Sequence, residues 1–482
     1  MVARTFRLTL ILALALSGGL IAVSDAHSLG GTIERVSLTD NGKEANDGNR
    51  QPSISADGRF VAYTSFATNL VTGNTLQVTV FVHDRESGSV AFIDVDSDGN
   101  EGNNVSSNPS ISADGRFVAF SSFATNFAPP DTNNTADVFV RDRDTDEDGV
   151  FDEPGAVYTT LVSQNASGNV GNSQSSVPAI SADGQFVAFQ SIASDLVPDD
   201  TNNQWDVFVR DLETGTTERV SVDSDENEAD GVWPFISSDG RFVGFYTGQL
   251  VPLGDRGVWI RDRQLGTTTH VSGSQHASKH PSSISADGRY VIFTTQGVWV
   301  YDRQLDSTIR VDVDSTGNAA NEVSSESAVS ANGRYVAFRS FASNIVPGDS
   351  FDFDHLYLRD LKTGETIRIS SDSGGNEGND DSFEPDLSAD GRVIAFFSPA
   401  SNLVPNDLNG VDDVFLFDLG PQPVGGIAEL PEVAEAALEA ESSSGLSAGA
   451  LAATAAGAVA GGLALGSVAW YVKRRGRYAS LL

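Results

Sequence analysis

The residues whose types and spacing could do chemistry are concentrated in one acidic stretch, Asp144-Thr145-Asp146-Glu147-Asp148-Gly149-Val150-Phe151-Asp152-Glu153. Carboxylates stand at its first, third, fifth and ninth positions and glycine at its sixth, the spacing by which a short loop wraps Ca²⁺ in hard oxygen ligands. The expected ligand set is Asp144, Asp146, Asp148 and Asp152 through their side chains, Val150 through its backbone carbonyl, and Glu153 as a further carboxylate. Position twelve is Gly155, so the bidentate glutamate of an EF-hand is missing, and Glu153 or the upstream Asp142 would have to replace it. Such a site is expected to be weak, roughly 10⁻⁴ to 10⁻³ M. An acidic, solvated hairpin tip is the alternative.

Other chemistry is scarce. His276 and His280 have the four-residue separation of a zinc pair on a helix, but they fall in a polar strand connection, where the spacing is a coincidence of loop sequence. There is no cysteine, hence no disulfide, thiol nucleophile or thiolate metal site. No G-x-S-x-G elbow and no glycine-rich phosphate loop occurs. The formal net charge of −36, from 66 Asp and Glu against 30 Lys and Arg, excludes a nucleic-acid partner, because phosphate contacts need clustered cations. With 39% hydrophobic residues the chain still buries a core, so its acidity belongs to a folded surface.

What must position the acidic stretch is a repeat. The string S-x-D-G-R-[FY]-V-x-F begins at Ser55, Ser112, Ser181, Ser237, Ser285, Ser330 and Ser388, with its glycines 45 to 69 residues apart. Periods of this length indicate units that cannot bury their own face and must pack on neighbours. Each unit reads as four strands. A short one, such as Pro109 to Ser112, precedes the D-G hairpin turn, and Phe117 to Phe120 follows it. After a polar loop comes a third, such as Asp206 to Asp211, and a Thr214-Gly215 turn leads to the fourth, Thr217 to Val222. The seventh repeat ends at Phe415-Leu416-Phe417-Asp418 without its fourth strand, and Thr32 to Ser37, before the first repeat, matches the missing piece. The expected fold class is therefore all-β, a seven-bladed β-propeller over residues 31–419 closed by an N-terminal strand.

The hairpin SADGRFVAF followed by DVFVRDLETG resembles the WD40-like, TolB-type β-propeller repeats of bacterial extracytoplasmic proteins, over essentially all of residues 31–419. The resemblance implies a propeller and a binding or scaffolding role, and names no ligand. Asn332 replaces the turn aspartate in the sixth repeat and Val393 the aromatic in the seventh.

The ends read as targeting segments. Residues 1–26 form a signal peptide, with Arg4 and Arg7 before an apolar run and Ser24-Asp25-Ala26 offering a cleavage site. Residues 420–447 are a linker. Ala448 to Val472 carries no charge and is long enough for one transmembrane helix, and residues 473–482 form a basic tail that belongs in the cytoplasm. A sorting signal removed after export is the alternative for this end.

In a four-stranded antiparallel blade the ADG and TG turns share one face and the long loops the other. The long loops carry Asp131-Thr132-Asn133-Asn134, Asp200-Thr201-Asn202-Asn203 and Asp407-Leu408-Asn409-Gly410. They also carry Asp96 to Glu101, Asp223 to Glu228 and Ser373 to Glu377. A ring of carboxylates and amides around one mouth would suit hard cations or basic or polyhydroxyl ligands, although Asp and Asn also favour turns by bonding their own backbone. The function expected is an exported, membrane-anchored, non-catalytic module that binds a protein or glycan partner. The alternatives are a calcium-dependent glycosidase- or lactonase-like hydrolase with a carboxylate site in the funnel, and a structural cell-surface component.

Overall fold

The near-continuous apolar run of each second strand, Phe-Val-Ala-Phe or a close copy, fits a strand covered on both faces. In the computed structural model, which describes residues 31–75, 78–127, 133–248, 256–272 and 283–420, that is its situation: Phe60–Ser65 and Val393–Ser398 are buried at every position. The outermost strands alternate instead, half-buried and exposed, as in Thr32–Arg35 and Thr216–Arg219, because only one of their faces meets a neighbouring blade.

The described residues form seven four-stranded antiparallel sheets. The strands of each blade are lettered A to D from the axis outwards. The A strands are Asn49–Ile54, Ser106–Ile111, Ser175–Ile180, Val232–Ile236, Ser283–Ile284, Ser324–Val329 and Phe383–Leu387. Each A strand packs beside the next around the ring, and they bound a central channel. Blade seven takes Thr32–Arg35 as its D strand, paired with Asp413–Asp418 in the register Thr32 to Asp418 and Arg35 to Phe415. The ring closes as the displaced strand requires.

The repeat motif is a set of seam-building contacts. Ser55 Oγ accepts the Phe60 N–H at 2.9 Å and donates to Asp57 Oδ1 at 2.6 Å, which locks the turn. Arg59 forms a bidentate pair with Asp84 at the end of strand C, 2.8 Å at each contact, and Arg116–Asp142, Arg241–Asp262, Arg289–Asp302 and Arg334–Asp360 repeat it. The turns also bond to one another through backbone: Ala56 donates to Ala113, Ala113 to Ala182, Ala182 to Ser238, Ser238 to Ala286 and Ala286 to Ala331. Asn332 then donates to Ala389, and Ala389 back to Ala56 at 2.8 Å. This annulus of amides encircles the axis on the tight-turn face. The turn glycine is needed twice over, since Gly115 has φ +78° and an added Cβ would lie 2.2 Å from the Phe60 ring of the preceding blade.

The signal-peptide, linker, transmembrane and tail assignments, and the His276–His280 pair, lie outside the described residues. Among the described residues no helix is long and apolar enough to cross a membrane.

Candidate functional site

The acidic loops of the long-loop face are largely occupied by the fold. Asp96 Oδ1 accepts the N–H groups of Asp98 and Asn100, and its Oδ2 accepts the Asn100 side chain at 2.8 Å. Asp223, Asp314 and Asp372 close the same turn. Each turn caps a small hairpin that brackets the following blade: Thr159 Oγ1 donates to Val95 O at 2.7 Å, and Arg141 to Asp96 O at 2.9 Å. Thr268 and Thr366 bond Val222 O and Val313 O in the same way. The hairpin glutamates hold the B–C loops, through Thr75, Thr201, Ser350 and Leu408 N–H donors. Buried arginines neutralise several of them, as in Arg35 with Glu44, Asp407 and Asp413, and Arg368 with Asp349 and Glu377. The D–A carboxylates thus run along the outer D strands as clamps between blades, rather than gathering at the channel mouth. Asp131 and Thr132 lie outside the described residues.

The blade-two insertion brings together half of its expected ligands. Asp144, Asp146 and Asp148 each offer a carboxylate oxygen within 4.8 Å of the others. Asp144 is buried and accepts the N–H groups of Asp148 and Gly149 at 3.2 and 3.0 Å, while Asp146 and Asp148 are exposed. Slight desolvation, then the Asp148 and Asp144 carboxylates, raise Asp146 above the usual range. Asp152 goes elsewhere: it forms a salt bridge with the buried Arg143 at 2.6 Å. Arg143 lies over the rings of Phe60 and Phe151 and donates to Gly115 O at 2.7 Å, so it rivets the insertion to blade one. Val150 is exposed and its N–H meets Asp148; the half-buried Glu153 carboxylate has no hydrogen-bond partner among the described residues. Asp142, the other substitute, is paired with Arg116. Three converging carboxylates fit a hard cation, and the ninth position does not join them.

A second constellation lies in the channel, where the sequence pattern drew no attention. Each fully described A strand but none of the B strands is irregular at its middle, with a non-glycine residue at positive φ: Gln51, Asn108, Val177, Trp233, Glu326 and Glu384, between 41° and 56°. These positions bridge blades. Asn108 N–H donates to Gln51 Oε1 at 3.1 Å, Trp233 N–H to Gln190 Oε1 at 2.9 Å, and Glu384 N–H to Glu326 Oε2 at 3.0 Å. At the seam of blades six, seven and one, Arg339 donates to Glu326 and to Asp354, both at 2.6 Å, and stacks 4.3 Å from the Phe383 ring centroid. Arg50 pairs with Asp412 and lies over Phe66. Glu384 is exposed, and its carboxylate has neither a hydrogen bond nor an ion pair among the described residues. Desolvation by the surrounding wall, then Glu326, push its carboxyl up to about 7, against the opposing effect of Arg339 and Arg50.

These channel positions are also where the repeats diverge. The bulged residues are Gln, Asn, Val, Trp, Glu and Glu, and the fifth residue of strand B is Thr64, Ser121, Gln190, Tyr246, Thr294, Arg339 or Phe397. Of the flanking positions, the serine that ends the A-strand segment is the same in every repeat and F-V-A-F changes little, whereas P-S-I ahead of that serine is intact only in blades one and two.

No protein-family model matches the chain, and no curated protein matches it. Among solved structures it is similar to TolB from Acinetobacter baumannii, at 14% identity and TM-score 0.36, covering 66% of this chain and 80% of that one. It is similar also to an oligogalacturonate lyase from Vibrio parahaemolyticus, at 13% identity and TM-score 0.47, covering 80% of this chain and 97% of that one. The seven four-stranded blades are the propeller architecture that the repeat motif implies.

Proposed function

We propose that the protein is an exported, membrane-anchored propeller that binds a protein or glycan partner at the long-loop mouth of its central channel, without catalysing a reaction. The observation that carries this reading is where the repeats differ. Repeat units keep the residues that build the seams, whereas the bulge and the fifth residue of strand B, which meet beside the channel, carry a different side chain in nearly every blade. The two positions pair with each other within a blade, as Gln51 with Thr64, Trp233 with Tyr246 and Glu326 with Arg339, and recognition of an asymmetric ligand gives a reason for a different pair in each. The chain's net charge of −36 sets the field, which favours basic partners over nucleic acid. The test is a panel of cell-surface glycans and peptides with the full-length protein. Trp233→Ala together with Asn108→Ala should weaken any hit by tenfold or more while leaving the melting temperature within a few degrees. Unchanged binding would remove the mouth from the reading.

Calcium belongs to the same proposal. Asp144, Asp146 and Asp148 would hold the ion, with the Val150 carbonyl and Glu153 as the remaining protein oxygens, and it would neutralise the tip without taking part in a reaction.

One observation favours the hydrolase alternative: Glu384, near 7, stands beside the Glu326–Arg339 pair, as a general acid beside a second carboxylate would. Release of product from a panel of glycosides and lactones, with a pH optimum near 7 and loss in Glu384→Gln, would establish it over the binding reading.

A further inference from the structure

We propose that Glu384 is the anchoring carboxylate for a guanidinium or ammonium side chain of a basic peptide segment that enters the long-loop mouth of the channel. The inference rests on the binding reading above and names the partner's chemistry.

It follows from the charges at the seam. Arg339 is matched by Glu326 and Asp354, and Arg50 by Asp412, each within hydrogen-bond distance. Both guanidiniums already lie on aromatic faces, those of Phe383 and Phe66. With Asp381, which also acts on Arg339, and Glu384 counted, five carboxylates therefore face two cations, and among the described residues Glu384 makes no hydrogen bond or ion pair through its carboxylate. Its backbone is held in place, because its N–H is fixed to Glu326 and its φ of 48° is enforced by the bulge. A partly desolvated carboxylate with no direct ion pair is costly, and Arg339 and Arg50 offset that cost only in part. A neutral sugar would leave that charge uncompensated, and an anion would add to it. A cationic side chain completes the set. The chain's overall charge of −36 would steer such a segment to the mouth.

The experiment uses the full-length protein and a tetra-arginine peptide, by calorimetry at 0.15 M salt. Wild type should bind one peptide, Glu384→Gln at least tenfold more weakly, and Glu213→Gln, an acidic control on the tight-turn face, as wild type does. Lowering the pH from 8 to 6 should weaken wild-type binding about tenfold, as a carboxyl near 7 protonates, and leave Glu384→Gln unaffected. Matching melting curves for the variants exclude misfolding. Equal affinity of Glu384→Gln and wild type, or no stoichiometric binding by wild type, overturns the anchor. The Trp233 and Asn108 variants judge the channel reading separately, so the two failures are distinguishable.

Discussion

Asp146 and Asp152 are the same residue six positions apart in one loop, and their neighbours give them different work. Asp152 faces a guanidinium whose side chain is only 3% exposed, so Asp152→Ala strands a buried charge and should cost about 1.5–3 kcal/mol with or without calcium. Asp146→Ala with Asp148→Ala should leave stability almost unchanged and abolish only calcium-dependent protection of the Gly149 peptide from protease. Binding of the expected strength adds only about 1.4 kcal/mol at tenfold saturation, so proteolysis is a better readout than melting. Equal cleavage of wild type in calcium and in chelator would leave the loop an acidic tip. Titration separates the buried acids likewise. Asp94 and Asp206 are fully buried, and desolvation pushes both up to about 7. The folded state therefore holds their protons more tightly than the unfolded chain. Their contribution is complete below about pH 4 and is lost as pH rises to 7. Asp262 and Asp302 are lowered despite burial, chiefly by Arg241 and Arg289, and their contribution is lost as pH falls below about 4. Chemical denaturation should then show a stability maximum near pH 4–5, with the decline towards pH 7 shallower in Asp94→Asn.

At the scale of elements, the ADG turn shows why a short motif can determine a seam. Its serine, aspartate and arginine satisfy the turn and tie it to strand C, its alanine bonds the next turn, and its glycine admits the preceding blade's ring. Gly115→Ala meets both a positive φ and the Phe60 ring and should cost about 3 kcal/mol. Gly42→Ala, at φ +71° with open space around the added carbon, should cost about 1 kcal/mol. Urea melts of the two variants decide it, and equal losses would show that the glycine serves the backbone alone. The D–A hairpins act on another edge. By bonding the D strand of the following blade they cover exposed donors and acceptors that would otherwise invite strand pairing between molecules. This use of Asp and Asn is what turns a sequence that reads as a ligand-binding ring into a set of clamps.

At the scale of the molecule, seven similar wedges must close with one seam that differs. Gly58 meets Val393 where the other turn glycines meet an aromatic ring, and Thr32–Arg35 completes the sheet to which Val393 belongs. The closing strand, the smaller side chain and Glu384 all belong to blade seven. The export and anchoring proposals are also properties of the whole chain. Full-length protein is expected in carbonate-washed membranes of the native host, held by Ala448 to Val472. Only a form truncated before Leu446 in that fraction would point to a processed sorting signal instead.

The sequence by itself determined the blade count, the strand order within a blade and the closing strand, because these follow from local chemistry repeated at intervals: turn residues, period-two apolar runs and a missing fourth strand with its match at the other end. It also located the three carboxylates at Asp144, Asp146 and Asp148, since neighbours in sequence within one tight loop are neighbours in space. Asp152 was equally near in sequence, yet its partner was decided by Arg143, whose position depends on Phe60 in another blade. The fate of the D–A carboxylates and the meeting of Arg50, Glu326, Arg339 and Glu384 belong to tertiary structure alone. Those residues come from three blades and converge only when the ring closes, and the bulges that set Glu326 and Glu384 beside the channel arise from a register shift that no residue pattern announces.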